Sequence, residues 1–480
     1  MRMNADRPDQ NVTLGPVVKH ILAILTLLAV LLFLMAGNVA PDPYIYDEAD
    51  YMYAASLGFA ANYTDTPTLP IADFVRTGLA RGRDSSQRQA LSEQIRASND
   101  AVFYRHWHGP LYLYLLIPVS RLGLSEQQVR TVMLAIPALT LVAIYCGCLW
   151  LIPGRARTFA SLGSSLLFLS SYSVTGSTEL APHHLFAFFS ILFLFCLMKF
   201  IATGNRAHWY AAVVFAAFAF CTLEIAFVLI ATLGIFVYVK RHSLAIGWRT
   251  AGASLGLFIA TVLVGWPAAI YKLSFVKGYL FMAYLALFRK APWGTEGVFD
   301  VWRTRLLDSP LEWAAILASL FLYFQTRSDN GKPRTYPILV YTTLMLAATA
   351  RVVSSSPRYS LLFMPLLDIF AALTLVPFLM EAPRRVVYGA LTLSWGFLGI
   401  DEYRLFTRNH TPDPRPPAIL KYIRENGLEE KTLLVPQDDL PMIHYYFPRM
   451  HLHGYQEPNP QPSGDATLLR GYPVRVESPR

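Results

Sequence analysis

Long apolar runs separated by short links bearing Lys and Arg dominate the chain from residue 17 to residue 400. Runs of this length read as helices that cross a bilayer. Basic clusters stand at Arg2, Arg7 and Lys19; Arg155 and Arg157; Lys199 and Arg206; Lys240, Arg241 and Arg249; Arg327, Lys332 and Arg334; and Arg384 and Arg385. Short cytoplasmic loops carry an excess of Lys and Arg, so an even number of crossings is expected between successive clusters. The spans that satisfy this are about 17–40, 131–152, 159–175, 184–200, 209–222, 225–239, 250–270, 310–325, 336–352, 359–379 and 386–400. An all-α polytopic membrane protein of about eleven transmembrane helices is predicted, its N-terminus cytoplasmic and its C-terminus outside. The first run has no A-x-A-like cleavage site after it and reads as an uncleaved signal anchor.

Two segments need a choice. Leu111 to Leu122 is apolar, contains Pro118, and as a helix is only about 18 Å long, too short to cross. It is expected to lie as a juxtamembrane helix at the outer interface. Residues 209–239 form one long apolar run with basic flanks. A lone carboxylate in mid-bilayer is costly, so the run is split into two short helices with Glu224 at the outer turn.

Three pieces then lie outside the membrane. The first loop, about 42–130, holds the carboxylates Asp47, Glu48 and Asp50, a helix-like stretch from Ser85 to Val102, and the turn Arg105-His106-Trp107-His108-Gly109-Pro110-Leu111. The second, about 271–309, is aromatic and basic, which suits an amphipathic interfacial helix. The third is a polar tail, 401–480. There Ala418 to Asn426 reads as a helix ended by Gly427, and Lys431 to Val435 as a strand, so a small C-terminal α/β domain is expected beside a transmembrane domain of residues 1–400.

Composition supports the class. Hydrophobic residues make up 54% of the chain and charged residues 15%, against roughly 25% charged in soluble domains. The net charge of +9 is mostly accounted for by the short loops, which argues against a nucleic-acid partner. Cys146, Cys148, Cys196 and Cys221 all lie in apolar runs, where thiols behave as small hydrophobes, so neither disulfides nor a zinc site is expected.

The chemistry concentrates in Tyr-Ile-Tyr-Asp-Glu-Ala-Asp-Tyr-Met-Tyr, residues 44–53, just beyond the first span. Acidic residues beside anionic headgroups are unfavourable unless something cationic or reactive is to meet them. In order along the chain come Asp47-Glu48-Ala49 with Tyr51, His108-Gly109-Pro110-Leu111, the link Gly-Leu-Ser-Glu-Gln-Gln-Val-Arg, a span beginning Thr-Val-Met-Leu, and Pro357-Arg358-Tyr359 followed by Leu361, Leu362 and Pro365. This order resembles the C-type (GT-C) membrane glycosyltransferases, in particular the dolichyl-phosphate-mannose protein mannosyltransferases and the bacterial aminoarabinose and lipid A glycosyltransferases. The resemblance runs over residues 17–400. It departs from the family's His-Pro-Pro-Leu where Gly109 replaces a proline, which is expected to relax the backbone before the juxtamembrane helix. The family's second acidic position is matched by Glu179, followed by His183 and His184.

Membership of that family would imply transfer of a sugar from a polyprenyl-phosphate carrier to an extracytoplasmic lipid, glycan or protein acceptor, in a bacterial inner or plasma membrane. Such a transfer needs a base to take the acceptor's proton and cations to hold the departing lipid phosphate. Asp47 is the natural base, with Glu48 beside it, and one base with in-line attack implies inversion. Arg358, Arg105 and His108, with Tyr359, are candidates for the donor phosphate, since an Arg fork makes bidentate bonds to phosphate. Tyr51, Glu179, His183 and Glu224 are candidates to line the cavity or meet the acceptor. Glu48, Glu179 and His183 could instead hold a divalent metal, the one cofactor under consideration.

Each assignment has a plainer competitor. Asp47-Glu48 could simply meet a helix dipole, and Arg358 could snorkel at a helix end. Glu179 with the two histidines could be a wet loop, and Glu224 a satisfied structural carboxylate. His444, His451 and His453 read as surface residues. A lipid-carrier flippase without transferase chemistry is the main alternative. It should show paired half-sequences and broken helices in matching positions, and neither is seen in the sequence.

Overall fold

The computed structural model describes residues 15–59, 108–154, 156–240, 247–270, 279, 297–325, 332–350, 354, 356–381, 383, 389, 396, 415–436, 439–455, 467–470 and 475–477. The fold is mostly helical. Among the described residues four helices are long and apolar enough to cross a membrane: Val17–Gly37, Glu126–Leu151, His183–Thr203 and Trp248–Gly265. Val298–Asp308 with Glu312–Gln325, bent by 95°, makes up to five. The expected spans at 225–239, 336–352 and 359–379 are met by shorter apolar helices, Glu224–Tyr238, Thr335–Thr349 and Met364–Met380. At 1.5 Å per residue these fall short of a full hydrocarbon core, so length alone does not carry the count to eleven. The expected span 386–400 and the aromatic segment within 271–293 fall mainly outside the described residues.

Helix His183–Thr203 is the centre of the main core. Phe186, Phe193, Leu194 and Phe200 on it are buried, together with Tyr145, Phe168, Tyr341 and Phe370 from neighbouring helices. It turns into helix Arg206–Phe220 through Gly204, whose φ of 67° suits a residue without Cβ, and Asn205, whose side chain accepts the Ala207 N–H at 3.0 Å. Small residues bring the helices close, as expected where apolar lipid gives no drive for association. A Cβ at Gly147 would stand 2.5 Å from the Phe195 ring. Outward positions such as Phe33 and Val264 stay exposed, as side chains facing lipid would.

The long apolar run 209–239 is broken as its carboxylate demands. Helix Arg206–Phe220 stops, a 3-10 turn Glu224–Ala226 follows, and helix Phe227–Lys240 begins. The apolar segment with Pro118 forms a short helix, Leu111–Ser120.

A second core lies around helix Tyr46–Ser56. Its Ala49, Tyr51, Met52 and Ala55 pack with Tyr112 and Leu116 of helix Leu111–Ser120, and the same cluster includes Ile419, Leu433, Val435 and Ile443 from beyond residue 414. There helix Arg415–Glu425 is followed by Gly427 at φ 59° and strand β1 (Thr432–Pro436). Helix Leu440–Tyr446 leads to β2 (His451–Tyr455), with β3 (Thr467–Arg470) and β4 (Arg475–Glu477) after it. The sheet order is β2-β1-β3-β4; β1 runs parallel to β2 and β3, and β4 is antiparallel to β3. Helix Tyr46–Ser56 is thus gripped between an apolar helix and the C-terminal layer.

Candidate active site

Asp47 and Glu48 occupy the first turn of helix Tyr46–Ser56, where carboxylates meet unpaired N–H groups favourably. Successive helix positions are about 100° apart, so the two side chains leave in different directions. They meet different arginines.

Glu48 turns inward. Both its oxygens are held by Arg130, from Nε at 2.9 Å and Nη2 at 2.6 Å, and Oε1 also accepts the Leu180 N–H at 2.7 Å. Arg130 uses Nη1 and Nη2 on the carbonyls of Ala40, Asp42 and Pro43 as well. Both side chains are buried, 4% and 7% exposed. Glu48, grouped with Asp47 from sequence as a catalytic carboxylate and possible ligand, is therefore committed to fixing the loop. Arg130 was missed in the sequence reading. It stands in the sequence only as the last residue of the link Gly-Leu-Ser-Glu-Gln-Gln-Val-Arg, to which no role was given.

Asp47 turns the other way and meets Arg358 of the 3-10 helix Pro357–Leu362, Oδ2 to Nη2 at 2.8 Å. Glu179, from the loop before helix His183–Thr203, approaches the same guanidinium, Oε1 to Nε at 3.6 Å. Ser356 donates to Glu179 at 3.4 Å, and Arg358 Nη2 donates to the Tyr359 hydroxyl at 3.2 Å. The buried His183 ring stands edge-on to Tyr359, centroids 5.6 Å apart at 89°. Asp47, Arg358 and Glu179 keep 25%, 17% and 37% of their side chains exposed, more than Glu48 and Arg130 do. Burial raises the Glu179 carboxyl above its ordinary range while Arg358 pulls it down.

His108 and Glu224 form a second pair through His108 Nδ1. Tyr51 lies between this pair and the helix beside it, 6.2 Å from the His108 ring and 5.6 Å from Tyr112. Gly109 does not loosen the backbone here. A Cβ at that position would stand 2.1 Å from the Cys221 carbonyl oxygen, while Leu111 N–H donates to that same oxygen at 3.0 Å. The glycine lets the two chains touch, and so brings His108 to Glu224. His184 is taken up by the Ser177 carbonyl at 2.7 Å. Arg105 lies outside the described residues.

The structure thus brings Asp47, Arg358, Glu179, Tyr359 and His183 together, and groups His108, Glu224 and Tyr51 beside them. Among the described residues no three His, Cys, Asp or Glu side chains gather as a metal-ligand set, and Glu48 in particular is spent on Arg130 and Leu180.

No protein-family model and no curated protein sequence matches the chain. Solved structures do. The chain is similar to ArnT from Cupriavidus metallidurans bound to undecaprenyl phosphate, with a TM-score of 0.58 and 16% identity over 93% of this chain and 87% of that one. It is also similar to the archaeal oligosaccharyltransferase AglB from Archaeoglobus fulgidus in complex with an inhibitory peptide and a dolichol-phosphate, with a TM-score of 0.57 and 11% identity, covering 91% of this chain and 64% of that one. At these identities both are likenesses of fold.

Proposed function

We propose that this protein is an inverting membrane glycosyltransferase, taking a sugar from a polyprenyl-phosphate carrier and giving it to an extracytoplasmic lipid, glycan or protein acceptor. The observation that carries this reading is the Asp47–Arg358 contact of 2.8 Å. It sets a carboxylate against a guanidinium of the kind that binds phosphate, on a fold shared with proteins solved with undecaprenyl phosphate and dolichol-phosphate.

A donor phosphate competes with Asp47 and Glu179 for the Arg358 fork. As the fork engages phosphate oxygens in bidentate fashion, Asp47 is released to act as base. The acceptor oxygen then attacks the anomeric carbon as its proton passes to Asp47. The bond from that carbon to the phosphate oxygen breaks, and its electron pair stays on the lipid phosphate, held by Arg358 beside Tyr359. Attack opposite the leaving group inverts the anomeric centre. In this scheme Glu179 and His183 meet sugar hydroxyls, and Glu224 orients His108 toward the donor with Tyr51 lining the cavity.

In this reading residues 1–400 form the transmembrane domain of about eleven helices and residues 401–480 a small extracytoplasmic domain. The active site faces away from the cytoplasm, the N-terminus lies inside, and a bacterial inner membrane is the proposed location. The test is to incubate the purified protein with a panel of polyprenyl-phosphate sugars and measure released lipid phosphate by mass spectrometry. Turnover of one donor is expected. Silence with every donor and acceptor would overturn the reading in favour of lipid-carrier transport.

A further inference from the structure

Tyr46, the residue before Asp47, has a φ of 46° and is the one non-glycine with positive φ among the described residues. A bulky L-residue in that region stores strain and persists only where surrounding contacts over-determine it. Those contacts are present on its N-terminal side. Arg130 grips the carbonyls of Ala40, Asp42 and Pro43. The next residue, Tyr44, is held from the far end of the chain. Its N–H donates to the Tyr446 hydroxyl at 3.0 Å, and that hydroxyl donates to Glu126 at 2.7 Å. The Tyr44 ring lies edge-on to Tyr445, centroids 5.4 Å apart, and Tyr53 on the other side of Asp47 meets His444 at 4.3 Å.

We infer that Tyr446, on helix Leu440–Tyr446 of the C-terminal layer, is a positioning residue for Asp47. Its hydroxyl pins the Tyr44 amide, the pinned amide keeps Tyr46 left-handed, and that turn sets the first helical carboxylate opposite Arg358. The C-terminal layer is then a part of the catalytic apparatus. Without the pin, Tyr46 relaxes to negative φ and Asp47 swings away from Arg358. The inference rests on Asp47 being the base, so its test carries a separate check of that role.

The experiment compares the full-length wild type with Y446F, Y46G, the Y446F/Y46G double variant and D47N. Two quantities are read: kcat and KM for the polyprenyl-phosphate sugar turned over in the donor panel, and amide hydrogen exchange of the peptide spanning residues 44–56. Y446F should lower kcat at least about tenfold with donor KM nearly unchanged, and speed exchange in 44–56. Glycine adopts positive φ without strain, so Y46G removes the need for the pin. Adding Y446F to Y46G should then change kcat by no more than about twofold and leave exchange in 44–56 close to that of Y46G alone. Equal losses from Y446F in both backgrounds, or faster exchange spread over residues 415–455 whatever stands at 46, would overturn the inference and leave Tyr446 a general structural contact. Full turnover by D47N, or no turnover with any donor, would instead remove the proposed function, while the exchange comparison would still decide the pin.

Discussion

Arg130 and Glu48 of helix Tyr46–Ser56 are locked side by side, with Nε and Nη2 at 2.9 and 2.6 Å from the two carboxylate oxygens. The same guanidinium ties down three backbone carbonyls of residues 40–43. A buried charge pair of this kind is costly to break, because the survivor is left charged and dry. E48A or R130A should therefore destabilise the protein by about 3–5 kcal/mol, seen as a lower thermal midpoint in detergent. Replacing both residues by leucine should not restore it, since the carbonyls of Ala40, Asp42 and Pro43 would still lack a donor. Full recovery in the double variant would show that Arg130 serves Glu48 alone.

The neighbouring carboxylate should behave in the opposite way. Asp47 and Arg358 are more exposed than Glu48 and Arg130, so breaking this pair should cost less stability. D47N should leave the thermal midpoint near wild type while lowering kcat by about 10²- to 10⁴-fold, the usual range for loss of a general base. Unchanged product formation would remove Asp47 from the mechanism.

Arg358 should be intolerant of lysine. R358K keeps the charge but loses the planar fork that spans two phosphate oxygens. Hydrogen bonds to charged groups are worth about 1.5–3 kcal/mol, so donor KM should rise by about tenfold or more in R358K and further in R358A. Steady-state kinetics with varied donor would check this. A KM unchanged in R358K would show that Arg358 acts as a point charge.

Glu179 gives the site a pH dependence with a definite sign. Its carboxyl is raised by burial, so it takes a proton at higher pH than an ordinary glutamate. Protonation removes a negative charge 3.6 Å from the Arg358 Nε and leaves more of the guanidinium's charge to an anionic donor. Donor KM should therefore fall as pH is lowered through the Glu179 titration, and that fall should vanish in E179Q. A KM–pH curve identical in wild type and E179Q would exclude this coupling.

Gly109 should not accept even alanine. The added Cβ would collide with backbone, 2.1 Å from the Cys221 oxygen and 2.2 Å from its carbon, and backbone cannot rotate away as a side chain can. G109A should lower stability and separate His108 from Glu224, whereas H108Q, which can still donate to Glu224, should perturb catalysis more than folding. Thermal melts and donor kinetics on the two variants distinguish these effects.

Much of this was legible in sequence order alone. The apolar runs identified a helical membrane protein, and Glu224 in an apolar run marked a break that the structure places at residues 221–226. Asp47 and Arg358 were each singled out by residue type and local motif. The count of spans was less secure, because a run of fifteen apolar residues with basic flanks looks the same whether it crosses a bilayer or packs within the protein. Gly109 was misread for a related reason. Nothing local to His-Gly-Pro-Leu shows that the chain at Cys221 passes against it.

The sequence by itself determined the class, the apolar faces that form the cores, and the inventory of acids and bases available for chemistry, since these follow from composition and from spacing along one helix or loop. Only the tertiary structure decided which acid met which base. Asp47 and Glu48 are adjacent and chemically alike, yet one lies partly exposed against Arg358 and the other buried against Arg130. That division is set by elements brought together from positions 130, 179, 358 and 446, and pairing between residues so far apart leaves no periodic trace in a single chain.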